Sequence, residues 1–476
     1  MRFLIPVHRW LGALLCLFFA MWFLSGAVLI YHPFPSLSES ERLAHSASID
    51  LSRIVISPLR AIESSGIELP ARLRVIDVDG EPAYIVHSHK DSLKVIGVET
   101  GKELPPVTLE GARRIASQFF EQAPAEIIGP LDYDQWIVHQ RFDAYRPFYR
   151  IHFDDLQHTV LYVSTRTGEV SQQTRRSERA WNYIGAVAHW IYPMILRQHW
   201  VLWDQVVWLL SFLGVVTTGV GLCIGVVRFR QARRSMRERA LSPFSGWLRW
   251  HHLLGLVFGI IVFTWMLSGW LSMDHGRLFS MSSPTARQIQ NFQGVSLSQV
   301  AKSIKPAALE TLGEIKELEF LAVGRRPLVL AKGSETQLYT PVESYGFSSF
   351  ILTKEEVVDA VKQVWFGFEI LQIEEIKPDD SYGHLREGPF PKQTLRVGLD
   401  DPNQTWVHVD MQTGTIVSVM DHSRRIYRWL FNGLHSLDFP GLIERRPLWD
   451  VVMFTLLTLG FLFSLTGVVV GWKKVL

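Results

Sequence analysis

Six of the 17 histidines occupy matched positions in two halves of the sequence: His8 with His251, His32 with His275, and His189 with His435. Each lies at or near the end of a long apolar run, where an imidazole is costly unless it is hydrogen-bonded or ligated. Two imidazoles on opposing helices, facing an apolar space with no thiolate or carboxylate cluster beside them, suit the two axial positions of a b-type haem iron. His8 and His32 stand 24 residues apart, roughly 36 Å along one helix, so they cannot serve the same iron. His8 and His251, with His252 adjacent, form one group toward one membrane face. His32, His275, His189 and His435 gather toward the other face, with room for one or two bis-imidazole sites, and the sequence leaves the pairing open. For any one of the six, interfacial hydrogen bonding is the plainer alternative. A structural zinc or copper site is a third, weakened by the lack of short-range Cys, Asp or Glu ligands. The two cysteines, Cys16 and Cys223, fall inside apolar runs, which excludes disulfides, c-type haem attachment and iron–sulfur or zinc thiolate sites.

The elements that must carry these histidines are membrane helices. The chain is 47% hydrophobic yet 20% charged, so apolar and polar material must be segregated along it. Four stretches, roughly 7–32, 201–227, 248–274 and 448–472, are long and apolar enough to cross a bilayer. The first has no small-x-small cleavage site after it and is expected to stay as an uncleaved anchor. The short segment between the second and third stretches holds Arg228, Arg230, Arg233, Arg234, Arg237, Arg239 and Arg249, and Arg2, Arg9, Lys473 and Lys474 mark the ends. Excess Arg and Lys marks the cytoplasmic side, so both termini and this loop are expected there, in a bacterial inner membrane. The two long segments then face the periplasm.

The sequence matches itself in tandem. At an offset of 243, HRWLG at 8 meets HHLLG at 251 and MWFLSG at 21 meets TWMLSG at 264; at 246, Arg150, Asp154, Gly168, His189, Trp203 and Asp204 meet Arg396, Asp400, Gly414, His435, Trp449 and Asp450. Copies that enter and leave by the same side are parallel, related by an axis along the membrane normal. Gly26, Gly214, Gly221, Gly269 and their neighbours are expected to allow close helix packing. Asp204 and Asp450 are expected as helix N-terminal charges, with orientation of a ligand histidine as the rival role. Alternation in 72–88, 148–170 and 394–419 predicts hairpins, with Asp79-Gly80 and Thr167-Gly168 at turns, and 111–122 and 353–366 predict helices. The expected fold is thus a membrane α-helical protein with four transmembrane helices from two tandem parallel repeats and two α+β periplasmic domains. Its divisions are a first membrane helix (1–32), an α+β domain (33–178), an interfacial and second membrane helix (179–227), a basic cytoplasmic loop (228–247), a third membrane helix (248–275), a second α+β domain (276–424) and an interfacial and fourth membrane helix (425–476).

HRWLG with LSG in the first helix, RWLFNGLHSLDFPGLIERRPLWD with LTGVVVGW in the last, and DDSYG at 379, PFPKQTLRVGLDD at 389 and TWVHVDMQTG at 405 between them together resemble the PepSY-associated transmembrane family over nearly the whole chain. Some members of that family are similar to siderophore reductases of the bacterial inner membrane. The resemblance therefore implies PepSY-like external domains, b-type haem and reduction of ferric siderophore iron. No G-x-G-x-x-G follows a strand, so electrons are expected from an outside donor, quinol or a cytoplasmic flavoprotein. The leading expectation is a haem b oxidoreductase passing electrons to a periplasmic acceptor such as a ferric siderophore, with His8, His32, His189, His251, His275 and His435 as iron ligands. The alternative is a non-catalytic, membrane-anchored PepSY binding module. A transporter would place ionisable groups at the bilayer midplane, and none is found there. Hydrolase motifs are lacking, and topology explains the basic loop without nucleic acid; its remaining partner is membrane lipid.

Overall fold

The computed structural model describes residues 3–89, 92–235, 241–274, 277–342, 346–383 and 388–475. His275 lies outside the described residues, as do Arg2, Arg237 and Arg239 of the basic segments. Among the described residues, four helices are long and apolar enough to cross a membrane: α1 (Leu4–Leu29), α4 (Trp200–Ser235), α5 (Gly246–Ser272) and α8 (Leu448–Val475). Their hydrophobic residues face all round rather than along one stripe, the pattern of helices immersed in an apolar medium. α1, at 26 residues, is about 39 Å long against a hydrocarbon core of about 30 Å. It packs on α8, α4 packs on α5, and α5–α8 and α1–α4 contacts close the bundle. Phe19, Trp22, Phe23, Trp265, Met266, Trp449 and Met453 fill its centre.

The segment between α1 and α4 forms β1 (Pro70–Val78), β2 (Glu81–Ser88), β3 (Leu93–Gly97), helix α2 (Leu109–Phe120), β4 (Glu126–Leu131), β5 (Phe148–His152), β6 (Val160–Ser164) and β7 (Val170–Thr174). The hairpin expected at Asp79-Gly80 is present: both residues have positive φ and Val78 faces Glu81 across it, as a two-residue turn with right-handed strand twist requires. The segment between α5 and α8 forms β8 (Glu317–Val323), β9 (Arg326–Lys332), β10 (Thr336–Val342), β11 (Gly346–Phe350), helix α6 (Lys354–Val364), β12 (Ile370–Ile376), β13 (Thr394–Leu399), β14 (Trp406–Asp410) and β15 (Thr415–Met420). Thr108 caps α2 by accepting from Gly111 N, and Thr353 caps α6 in a capping box with Glu356, which fixes where each helix begins. Asp155 accepts from Thr159 N and Oγ1, and Asp401 from Thr405 N and Oγ1; these carboxylates shape turns.

The strands build a β4-β5-β6-β7 sheet, a β12-β13-β14-β15 sheet and a seven-stranded sheet of order β11-β10-β9-β8-β1-β2-β3. In the last, β1 of the first segment pairs antiparallel with β8 of the second, Leu73 facing Phe320 and Val75 facing Leu318. One face of this sheet buries Leu73, Val75, Tyr84, Leu318, Phe320 and Val329 in a single core drawn from both segments. At the seam lies a buried charge cluster. Glu317 is fully buried and accepts from Arg74 at 3.1 Å, Arg42 at 2.6 Å and Lys332 at 3.1 Å, while Arg74 also bridges to Glu169 at 2.8 Å. Burial alone would raise the Glu317 carboxyl, but Arg74, Arg42, Lys332 and Arg72 outweigh it and hold the group well below the ordinary carboxylate range.

Removing one member of such a cluster strands the others without a counter-charge. Glu317→Ala is expected to destabilise the joined sheet by about 3–5 kcal/mol, read as a fall in the thermal unfolding midpoint. Because the folded-state pKa is depressed, the contribution of Glu317 is present above its unfolded value of about 4.3 and is lost as pH falls below it. Unfolding midpoints measured at descending pH should therefore drop more steeply for the parent than for Glu317→Gln; parallel curves would refute the assignment.

Candidate functional site

The bundle brings four of the six matched histidines into two pairs. His8, in the first turns of α1, and His251, in the first turns of α5, face each other with ring centroids 6.3 Å apart and planes inclined by 35°. His189 ends the short helix α3 (Ala186–His189), His435 lies in the one-turn helix α7 (Leu434–Ser436), and their centroids are 6.1 Å apart with planes at 67°. Two metal–imidazole bonds of about 2.0–2.1 Å, with a ring nitrogen about 1.1 Å from each ring centre, put opposed axial imidazoles roughly 6.2 Å apart. Both pairs stand at that separation.

The nitrogens are arranged to match. His8 Nδ1 lies 3.0 Å from the carbonyl of Thr217, His251 Nδ1 3.0 Å from Thr466 Oγ1, His189 Nδ1 3.1 Å from Ser25 Oγ and His435 Nδ1 3.0 Å from Ser268 Oγ. Among the described residues, no Nε2 of the four makes a hydrogen bond. An imidazole with one nitrogen tied to an oxygen and the other left bare is in the form that ligates iron. His252 differs: its Nε2 meets the carbonyl of Gly225 at 3.0 Å and its Nδ1 meets Ser242 Oγ at 2.9 Å, so both nitrogens are spent.

Backbone placement of the second pair is fixed by tryptophans. Trp22 of α1 donates from Nε1 to the carbonyl of His189, and Trp265 of α5 donates to the carbonyl of Leu434. Trp203 donates to the carbonyls of Trp190 and Ile191, and Trp449 to those of Ser436 and Leu437. Two residues after each histidine the chain turns through a left-handed residue, Ile191 and Leu437, both with φ of 50°, an uncommon conformation for non-glycine residues that surrounding contacts must impose. A π-helical turn, Trp429–Gly433, leads into α7, and such turns often mark functional sites. Aromatic rings flank two of the imidazoles: Phe463 stacks on His251 at 4.9 Å and Phe431 on His435 at 5.3 Å.

Glycines give the rings room. A Cβ on Gly221 would lie 2.6 Å from His8 Cε1, one on Gly26 3.3 Å from His189 Cε1, one on Gly467 3.5 Å from His251 Cε1 and one on Gly269 3.6 Å from His435 Cε1. Some glycines expected to serve helix contact therefore serve histidine contact. Around His8 and His251 the helices part into a cavity of about 390 Å³, lined also by Gly12, Gly225, Gly255, Gly259 and the side chains of Arg9 and Arg228. That size is in the range of small-molecule and cofactor pockets.

His32 is placed differently. It lies beyond the end of α1 and stacks on Trp181 at 4.9 Å, with planes 5° apart, and no second imidazole lies against it among the described residues. Asp204 pairs with Arg277 at 2.6 Å, and Asp450 with Arg446 and Tyr31, contacts made near the starts of α4 and α8. Sequence inspection passed over Thr217 and Thr466, whose type is common in helices; Ser25 and Ser268 gave a signal as a matched pair but were assigned to packing.

The glycine distances order four substitutions. Gly221→Ala must displace the His8 ring, at an overpacking cost of about 1–3 kcal/mol. Gly269→Ala meets ordinary contact distance and gains up to about 1 kcal/mol of helix propensity. Thermal midpoints of the purified protein in detergent should fall for the first and hold or rise for the second; the reverse order would show that the ring positions do not depend on these glycines.

No curated protein matches the chain. A family model described as the PepSY-associated TM region matches residues 5–474, which takes in all four membrane helices and both histidine pairs, and on that match the chain belongs to this family of membrane proteins.

Proposed function

We propose that the chain is a haem b-containing oxidoreductase of a bacterial inner membrane, with His8 and His251 as the axial pair of one haem and His189 and His435 as the pair of a second. The observation that carries this is the doubled geometry: imidazole pairs 6.3 and 6.1 Å apart, with each Nδ1 bonded and each Nε2 bare. The donor set fits haem better than zinc or copper, since among the described residues no group of three or more His, Cys, Asp or Glu gathers to hold a bare ion. A haem bound at such a pair supplies one-electron transfer, with a potential set by its ligands, their hydrogen bonds and burial.

The chain's own part is to hold and space the imidazoles. His8 and Ser25, the contact of His189, are seventeen residues apart on α1, about 25 Å along the axis, so the two pairs sit toward opposite faces of the membrane. Arginines clustered at the end of α4 and the start of α5 (Arg228, Arg230, Arg233, Arg234 and Arg249) support a cytoplasmic position for His8 and His251 and a periplasmic one for the joined sheets. The matched contacts around the two pairs support two tandem parallel repeats, the first from α1 to α4 and the second from α5 to α8. Quinol or a cytoplasmic flavoprotein is the donor and a periplasmic acceptor, a ferric siderophore, the recipient. One electron reduces one ferric ion, so a two-electron donor serves two.

Optical spectra of the detergent-purified chain, oxidised and dithionite-reduced, test this. Two low-spin b haems per chain are expected. His8→Ala or His251→Ala should remove one, His189→Ala or His435→Ala the other, and His32→Ala neither. A colourless protein from haem-replete cells would overturn the proposal and favour a membrane-anchored PepSY binding module.

A further inference from the structure

Three of the four imidazole-to-acceptor bonds end on a hydroxyl, and a hydroxyl has one proton to give. Thr466 Oγ1 donates to the carbonyl of Phe463 at 2.6 Å, Ser268 Oγ to that of Trp265 at 3.0 Å and Ser25 Oγ to that of Trp22 at 3.2 Å. With its proton committed to a helix carbonyl, each hydroxyl can meet the imidazole only as an acceptor. The shared proton then belongs to Nδ1, and Nε2 keeps its lone pair. His8 reaches the same state by another route, through the main-chain carbonyl of Thr217. Val220 stands where the offset of 246 would place a counterpart of Thr466, so that position carries no hydroxyl in the first half.

We propose that Thr466, with Ser25 and Ser268, are positioning residues that lock His251, His189 and His435 in the Nδ1-protonated form and raise the electron-donating strength of Nε2. This rests on the haem assignment above and extends it to residues outside the ligand set. An imidazole whose N–H is bonded to oxygen donates more strongly to iron and favours the ferric state. Losing the acceptor therefore raises the midpoint potential. Thr466 is the sharpest case, because its hydroxyl is the acceptor given to His251 Nδ1, whereas His189 also meets the carbonyl of Trp22 and His435 that of Trp265, which can take over when Ser25 or Ser268 is removed.

The test is an optical redox titration of the full chain in detergent, with haem-to-protein ratio, for Thr466→Val, Thr466→Ser, Ser268→Ala and Thr264→Val. Thr264 bonds only its own helix, at the carbonyl of Ile261, and serves as the control. Thr466→Val, close to the parent in shape, should shift one haem to higher potential and leave the other in place, or lose that haem alone; Thr466→Ser should restore the parent value. Ser268→Ala should raise the other haem by less than Thr466→Val raises the first, because the carbonyl of Trp265 remains for His435, and Thr264→Val should move neither. A fully haem-loaded Thr466→Val with both potentials unchanged would overturn the hydroxyl role while leaving the haem assignment intact. A Thr466→Ser displaced as far as Thr466→Val would reduce Thr466 to packing and overturn its role equally. A colourless parent would remove the haem assignment, and this inference with it.

Discussion

The constraint on which the rest depends is the cost of an imidazole inside an apolar bundle. Each ring brings two nitrogens that must be satisfied, and in hydrocarbon there is no water to do it. His252 shows the ordinary solution, with both nitrogens bonded inside the protein. The four paired histidines do not adopt it. Each satisfies Nδ1 inside the protein and, among the described residues, makes no hydrogen bond through Nε2.

Much of the bundle can be understood as support for that arrangement. Long helices carry the pair near one face directly, because His8 and His251 stand in the first turns of α1 and α5. The other pair is built differently: α1 and α5 supply Ser25 and Ser268 as contacts, and short helices folded back against them supply His189 and His435. A helix of four residues has little stability of its own. Its position must come from outside, and the indoles of Trp22, Trp203, Trp265 and Trp449 provide it by donating to the carbonyls at and after α3 and α7. The left-handed turns at Ile191 and Leu437 then send the chain back toward α4 and α8, and their strain is held by the same indole bonds.

How much of this the sequence disclosed follows from what sequence matching can detect. The four membrane stretches were legible because twenty apolar residues in a row have few other meanings, and Asp79-Gly80 announced its hairpin through the turn it must make. Four of the six matched histidines stand in two ring pairs, and rare residues repeated at fixed offsets are poorly explained by chance. The partnering itself was hidden: His32 is matched like the others, yet it stacks on Trp181 beyond the helix end, and nothing in its spacing distinguishes it from His189. Thr466 was silent because threonine in an apolar helix commonly bonds its own backbone, as it does here; its second bond exists only once α5 is packed beside α8. The shared sheet was equally hidden. β1 and β8 each alternate as any half-buried strand does, and the choice of partner lies in the burial of Glu317 among Arg42, Arg74 and Lys332, charges some 240 or more residues away or on the next strand.

That shared sheet bears on the outer histidines through chain connectivity. β7 ends at Thr174 and the chain reaches His189 by one short helix, Arg176–Ile184; β15 ends at Met420 and reaches His435 by the helix His422–Arg428 and the π-helical turn. Both outer histidines are thus tethered to the external body by short, structured links. If the two external segments were independent bodies, their relative motion would be passed to the two rings, and a pair held 6.1 Å apart tolerates little of it. Joining β1 to β8 across a buried, charge-matched seam makes one body of two, so that His189 and His435 are referred to a common frame. Buried charge clusters contribute little net stability compared with apolar packing but discriminate strongly against wrong partners and registers. In this protein the discrimination is what matters: the seam at Glu317 sets how the two halves meet outside the membrane, and the ring pair inside it depends on that meeting.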